Sequence, residues 1–213
     1  MTTNTNGRTT EKKSRNQNEQ TRAGAGLSET SEADLRLLRL FNHYRHDWMN
    51  DIQMVMGYIQ LKKVDKLSDL MEKIKEKVRV ESCVSKLGIP SLIVYLLSFQ
   101  AEVKELQLLI RLEEEIHLHK YRHAAAAEQW ITSLLESFKR EAVDSTEMQN
   151  TITLQFAKEQ DGLCLAAKYE GAYEPKRIQA AEMELQSRLL DQNGIGLKTI
   201  YGDGRVTWTV HLA

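Results

Sequence analysis

Residues 35–59 read LRLLRLFNHYRHDWMNDIQMVMGYI. Leu35, Leu38, Asn42, Arg45, Met49, Ile52, Met56 and Ile59 recur at alternating steps of three and four, the spacing of a heptad seam on one helix face. The seam is apolar except at Asn42 and Arg45, which flank His46. A break near Lys62–Asp65 precedes a second stripe, Leu67, Met71, Ile74 and Val78, which ends at Gly88-Ile89-Pro90, a helix stop. Two long helices joined by a short turn form a hairpin. A hairpin buries one face of each helix, so two copies are expected to close a four-helix bundle as a homodimer.

Outward from the hairpin, residues 1–27 hold almost nothing to bury and are read as a disordered tail. Ser28 or Ser31 offers an N-cap, with Glu29, Glu32 and Asp34 in the first turn. The expected division is a tail over 1–30, a hairpin over 31–89 and a second domain over 90–213. In that domain, Ser91–Lys104, Ala124–Ala142 and Pro175–Leu190 read as helices and Leu106–Leu112 as a short strand. Thr151–Ala157, Leu163–Tyr169 and Arg205–Leu212 read as an antiparallel strand set. The fold class is therefore α+β: a helical hairpin followed by a small α/β sandwich.

Composition narrows the function. Of 213 residues, 29 are Lys or Arg and 30 are Asp or Glu, so there is no global basic field and nucleic acid is not the expected partner. No apolar run reaches membrane-spanning length, and Met1–Gly26 lacks the apolar core of a secretory signal. Cys83 and Cys164 stand outside any cysteine motif. They read as small buried hydrophobes in a reducing cytoplasm.

Tyr44-Arg45-His46-Asp47-Trp48-Met49-Asn50 carries the chemistry. His46 sits at the edge of the seam, where a neutral imidazole can attack with one ring nitrogen while the other donates a hydrogen bond. Asp47 can orient the ring. Asn50 lies one helical turn on, and Arg45 can steady phosphoryl charge. A helical His beside an Asp is usually a solvated face. Here the polar cluster falls at the one interruption of the seam, and Tyr44 and Trp48 add an aromatic surface.

Arg45-His46-Asp47-Trp48-Met49-Asn50 resembles the phosphoacceptor motif of the sporulation initiation phosphotransferases, which serve the phosphorelay of endospore-forming bacilli. It is also similar to the His-Asp-x-x-Asn box of citrate- and malate-type sensor histidine kinases. The resemblance extends in coarse organisation from about residue 32 to the end. It implies that His46 accepts phosphate from a response-regulator phospho-aspartate and passes it to the aspartate of a second regulator. Arg45, Asp47 and Asn50 would support that step, and Asn42 and Gln53 would contact the receivers. Mg²⁺ would arrive with the partner receiver domain, no metal site being expected in this chain.

It further implies that the second domain is a degenerate kinase ATPase domain. Glu136 or Ser137 stands where such kinases place the Mg²⁺-binding Asn. Tyr169-Glu170-Gly171-Ala172-Tyr173 falls where the Asp-x-Gly-x-Gly loop would be, and Asn193-Gly194-Ile195-Gly196-Leu197 resembles the later glycine loop. With two of three elements degraded, ATP is not an expected cofactor. The competing readings are an ATP-using sensor-kinase transmitter and a dimeric helical adaptor in which His46 is inert. His117, His119 and His123, and the pair His43 and His46, raise a zinc reading. A solvated loop and a second surface histidine are preferred.

Overall fold

The structure is a computed structural model that describes the backbone of residues 9–143, 150–160, 162–193 and 195–212, with side chains described from Asp34 onward except at 143 and 190–193. The elements run α1 (Thr9–Gln60), α2 (Val64–Ser85), α3 (Pro90–Glu102), β1 (Leu106–Leu112), a 3₁₀ turn (Leu118–Lys120), α4 (Ala124–Val143), β2 (Asn150–Glu159), β3 (Gly162–Glu170), α5 (Pro175–Asn193), β4 (Leu197–Gly202) and β5 (Arg205–Leu212). The chain divides into two compact units, Met1–Asn50 and Asp51–Ala213. Among the described residues, no helix is long and apolar enough to cross a membrane.

Helix α1 begins at Thr9, so residues 9–30, expected as tail, carry helical backbone, and Ser28 and Ser31 lie inside the helix rather than capping it. The stretch has no proline and is rich in Glu, Lys, Arg, Gln and Ala, which lose little in a helix. At its other end α1 closes with a Schellman turn. The Lys63 N–H donates to the Tyr58 carbonyl and the Lys62 N–H to the Ile59 carbonyl, both at 3.0 Å. Lys62 holds the left-handed C′ position at φ 53°, among the described residues the one non-glycine with positive φ.

In the second unit, α2 ends within the main core: Cys83, Val84 and Leu87 are buried with the sheet residues. The Arg79 guanidinium donates to the Leu112 carbonyl at 2.9 Å. Gly88 turns the chain at φ 79°, and a Cβ there would sit 1.7 Å from the His119 ring. His119 is exposed and His117 half-buried, as expected of a solvated stretch, but both rings also meet backbone. The Nδ1 atoms of His119 and His117 lie 3.4 and 3.1 Å from the carbonyls of Leu87 and Lys86, in the turn that follows α2.

The sheet has the order β1-β2-β3-β5-β4. It is mixed rather than antiparallel throughout, because β1 pairs with β2 in parallel. The fifth strand, β4, was not anticipated. It is an edge strand whose side chains are mostly exposed, so it lacks the alternation that marks a half-buried strand. On β1, β2, β3 and β5, every second residue is buried, among them Leu108, Ile152, Leu154, Leu165, Tyr169, Val206 and Trp208. On α4, Trp130, Ile131, Leu134, Leu135 and Phe138 are buried as the sequence predicts. Phe138 stacks on Tyr169 at 4.4 Å and meets Trp208 at 5.3 Å.

Asn150 is the most buried polar side chain of this core among the described residues. Asn150 is 3% exposed, and its Nδ2 donates to the carbonyls of Glu105 and Ala142. The Tyr169 hydroxyl lies 3.0 Å from Asn150 Oδ1 and 2.6 Å from the Ala172 carbonyl. Burial, reinforced by the charge of Glu141, pushes the Tyr169 hydroxyl from 10.0 up to about 12. The folded value lies above the unfolded one, so the neutral hydroxyl contributes fully below about pH 10 and its contribution is lost as pH rises toward 12.

Two stability predictions follow from these contacts. Lys62→Gly relieves the left-handed backbone and should raise unfolding free energy by about 1 kcal/mol. Tyr169→Phe leaves Asn150 short of a partner and should lower it by about 1–2 kcal/mol. The same variant should also flatten the loss of stability between pH 10 and about 12. Urea denaturation across pH measures both.

Candidate functional site

The site is built on α1 inside the first unit. Residues one turn apart on a helix are neighbours, so His43, His46, Asp47 and Asn50 converge without any long-range contact. Asn50 Nδ2 lies 3.2 Å from His46 Nδ1. Asp47 Oδ1 lies 3.9 Å from the same nitrogen, and its other oxygen lies 3.6 Å from His43 Nε2. The carboxylate therefore sits between two imidazoles, and His43 also meets Tyr44 edge-on at 6.2 Å. Sequence reasoning set His43 aside as a second surface histidine. The i, i+4 spacing to Asp47 was the signal that it holds the carboxylate in place.

Both local partners approach Nδ1. Among the described residues no polar contact reaches His46 Nε2, and the side chain is 73% exposed. A half-turn of the Asn50 amide exchanges its two faces. With Nδ2 inward it donates to Nδ1, and the ring proton sits on Nε2. With Oδ1 inward it accepts an Nδ1–H, leaving a lone pair on Nε2 that points to solvent. Asp47 favours the second tautomer, since a carboxylate only accepts. The arrangement presents a nucleophilic nitrogen at a protein surface with its other nitrogen held.

Arg45, Asn42 and Gln53 are exposed, and among the described residues Arg45 and Asn42 make no polar contact. They are thus open to a docking partner, whereas Asp47 is half-buried. Phe41 and Trp48 are 66% and 60% exposed, an aromatic surface that the helix itself leaves open.

Two of the three stretches compared with a kinase ATP site have other engagements. Glu136 accepts the Tyr95 hydroxyl at 2.8 Å, and Ser137 donates to the Ser133 carbonyl at 2.9 Å. Glu170 pairs with Arg205 at 2.8 Å and Lys168 at 2.9 Å. A Cβ at Gly171 would lie 2.2 Å from Asn150 Oδ1, so the turn after β3 is closed by the buried polar pair. Gly194 of the third stretch lies outside the described residues. A cavity of about 420 Å³ opens between α4 and α5, lined by Ser137, Arg140, Glu141, Arg177, Ile178 and Glu184. Glu141 is 6% exposed there, with its carboxylate 3.0 Å from the Glu174 N–H and 3.6 Å from Arg177.

Cys83 is buried as expected, but Cys164 is only half-buried. It stands on the opposite face of the sheet from the core, beside Glu159 and His211.

Comparison with known proteins bears on this arrangement. Residues 28–87 match the family described as Sensor_kinase_SpoOB-type, alpha-helical domain. Sporulation initiation phosphotransferase B of Bacillus subtilis (strain 168) is 28% identical over 141 residues, which are 64% of this chain and 71% of that protein. Among solved structures, the catalytic domain of histidine kinase ThkA is similar with a TM-score of 0.43 at 10% identity, over 59% of this chain and 91% of that one. The histidine kinase AdeS of Acinetobacter baumannii gives 0.40 at 11% identity, over 79% and 97%. ThkA in complex with response regulator protein TrrA gives 0.41 at 12% identity, over 92% and 65%. The segment that carries His46 thus matches the SpoOB-type alpha-helical domain over residues 28–87, in a chain similar to a sporulation initiation phosphotransferase.

Proposed function

We propose that His46 relays a phosphoryl group between the receiver domains of two response regulators, in the cytoplasm and without ATP. The observation that carries the reading is the His46 ring itself: Nδ1 is held by Asn50 and Asp47, and Nε2 stands unencumbered at a 73% exposed side chain. The Nε2 lone pair attacks the phosphorus of a receiver phospho-aspartate. The aspartyl O–P bond breaks, the aspartate leaves as carboxylate, and the phosphohistidine keeps its proton on Nδ1. The reverse step on a second receiver regenerates neutral His46. Phosphoryl transfer has a loose transition state, so the protein mainly positions and balances charge. Arg45 supplies charge on this side, and Mg²⁺ comes with the receiver's acidic pocket. Asn42 and Gln53 flank His46 along α1 and are assigned to receiver contact.

The similarity to sporulation initiation phosphotransferase B of Bacillus subtilis supports the phosphotransferase class. Against direct use of ATP stand the engagements of Glu136, Ser137 and Gly171 with protein groups. The dimer rests on the α1 seam. Leu38, Met49, Ile52 and Met56 are between 51% and 57% exposed, at heptad spacing. A single-sided apolar seam of this kind is covered by a second copy in a four-helix bundle.

Transfer from a labelled receiver tests the first part. Wild type should take up label as an acid-labile adduct, His46→Ala should take up none, and Asn50→Ala should transfer roughly tenfold more slowly, about 1.4 kcal/mol. Label from ATP alone would instead make the chain a kinase, and no label from either donor would make it an adaptor. Ile52→Asp with Met56→Asp should halve the mass seen by sedimentation equilibrium while the far-ultraviolet dichroism stays helical.

A further inference from the structure

The open face of the sheet carries a side-chain group that the phosphoryl relay does not use. Glu159 is near the end of β2, Cys164 near the start of β3 and His211 near the end of β5. Cys164 stands directly across from Ala157 on β2 and from His211 on β5. Glu159 lies two residues beyond Ala157 and so shares its face, diagonal to Cys164. The register thus brings three strands' side chains to one spot. One ligand atom from each lies within 4.8 Å of the others, and His211 Nδ1 is 3.0 Å from Glu159 Oε2. Among the described residues this is the one group of three His, Cys, Asp or Glu side chains gathered so closely.

We infer that Glu159, Cys164 and His211 form a binding site for a zinc-type divalent metal ion. In a tetrahedral zinc site, bond lengths of about 2.0–2.3 Å place ligand atoms roughly 3.5 Å apart, which these side chains reach by small rotamer changes. A thiolate with an imidazole and one carboxylate selects a borderline-soft ion and not Mg²⁺ or Ca²⁺, which prefer all-oxygen shells. The charge also balances: thiolate and carboxylate together carry two negative charges, and the imidazole is neutral. Without a cation, burial and then the Glu159 charge hold the Cys164 thiol above its ordinary range. A bound ion removes that penalty, and the thiol proton leaves to the buffer. Glu159 and His211 are exposed, so a fourth position stays open to water. The ion would clip β2, β3 and β5 together close to the last residues of the sheet.

Cobalt titration of the untagged, reduced, chelator-stripped full chain tests the site. One equivalent of Co²⁺ should produce a thiolate-to-metal charge-transfer band that Zn²⁺ abolishes by displacement and Mg²⁺ does not. The band should vanish in Cys164→Ser and persist in Cys83→Ser and in His46→Ala. His211→Ala should weaken Co²⁺ affinity by about tenfold or more. Zn²⁺ should also raise the melting temperature of wild type but not of Cys164→Ser. Absence of the band in wild type, its survival in Cys164→Ser, or binding that no substitution changes would overturn the assignment.

Discussion

Leu38, Met49, Ile52 and Met56 stand about half exposed along one face of α1. Each fully buried side chain of this size is worth about 1.5–3 kcal/mol relative to water, so leaving the row in water is a standing cost. In the proposed dimer that cost vanishes and a second consequence appears. The seam is interrupted only where Asn42 and Arg45 replace apolar residues, and His46 is next to that interruption. His46 lies off the seam row, so in the proposed bundle it would stay at the surface while the apolar positions close. One pattern would then favour association and keep the proposed nucleophile wet.

The chemistry asks little of the rest of the chain. Nδ1 is held by residues one position and one turn away, so the competent ring needs only helical backbone. No resident metal or phosphate cradle is needed if the partner receiver brings its own acidic pocket and ion. This explains how the second domain can have Glu136, Ser137 and Gly171 engaged with protein groups without harm to the relay.

The same locality decided what could be read in advance. The His46 cluster was legible because i, i+4 neighbours are fixed by helix geometry, and the strands β2, β3 and β5 because every second residue is apolar. The parallel pairing of β1 with β2 joins residues more than 40 positions apart, and no local pattern encodes it. β4 is an exposed edge with no alternation to read. The attachment of His117 and His119 to the Lys86 and Leu87 carbonyls is a tertiary contact, so in sequence those residues read only as solvated loop. Glu159, Cys164 and His211 come together only through strand register. His43 is the instructive exception, since its link to Asp47 was local and was passed over because an i, i+4 His-Asp pair is common on ordinary helix surfaces.

The α/β layer has a mechanical task. Cys83 and Val84 of α2 and Leu87 just after it are part of the sheet's core, Arg79 reaches the Leu112 carbonyl, and the two histidines meet the carbonyls of Lys86 and Leu87 that follow the helix. The far end of α2 is therefore anchored by burial. The near end is joined to α1 by the three residues between Gln60 and Val64, through the Schellman turn at Lys62. Within this second unit Lys77 also lies 3.8 Å from Asp51 of α1. An isolated helical hairpin of this composition would have few buried contacts to fix its register. Packing α2 into a fully formed α/β core supplies that register from outside. The aromatic stack of Phe138, Tyr169 and Trp208 belongs to the same core that buries the end of α2, so the α/β layer serves as an anchor for the helix pair.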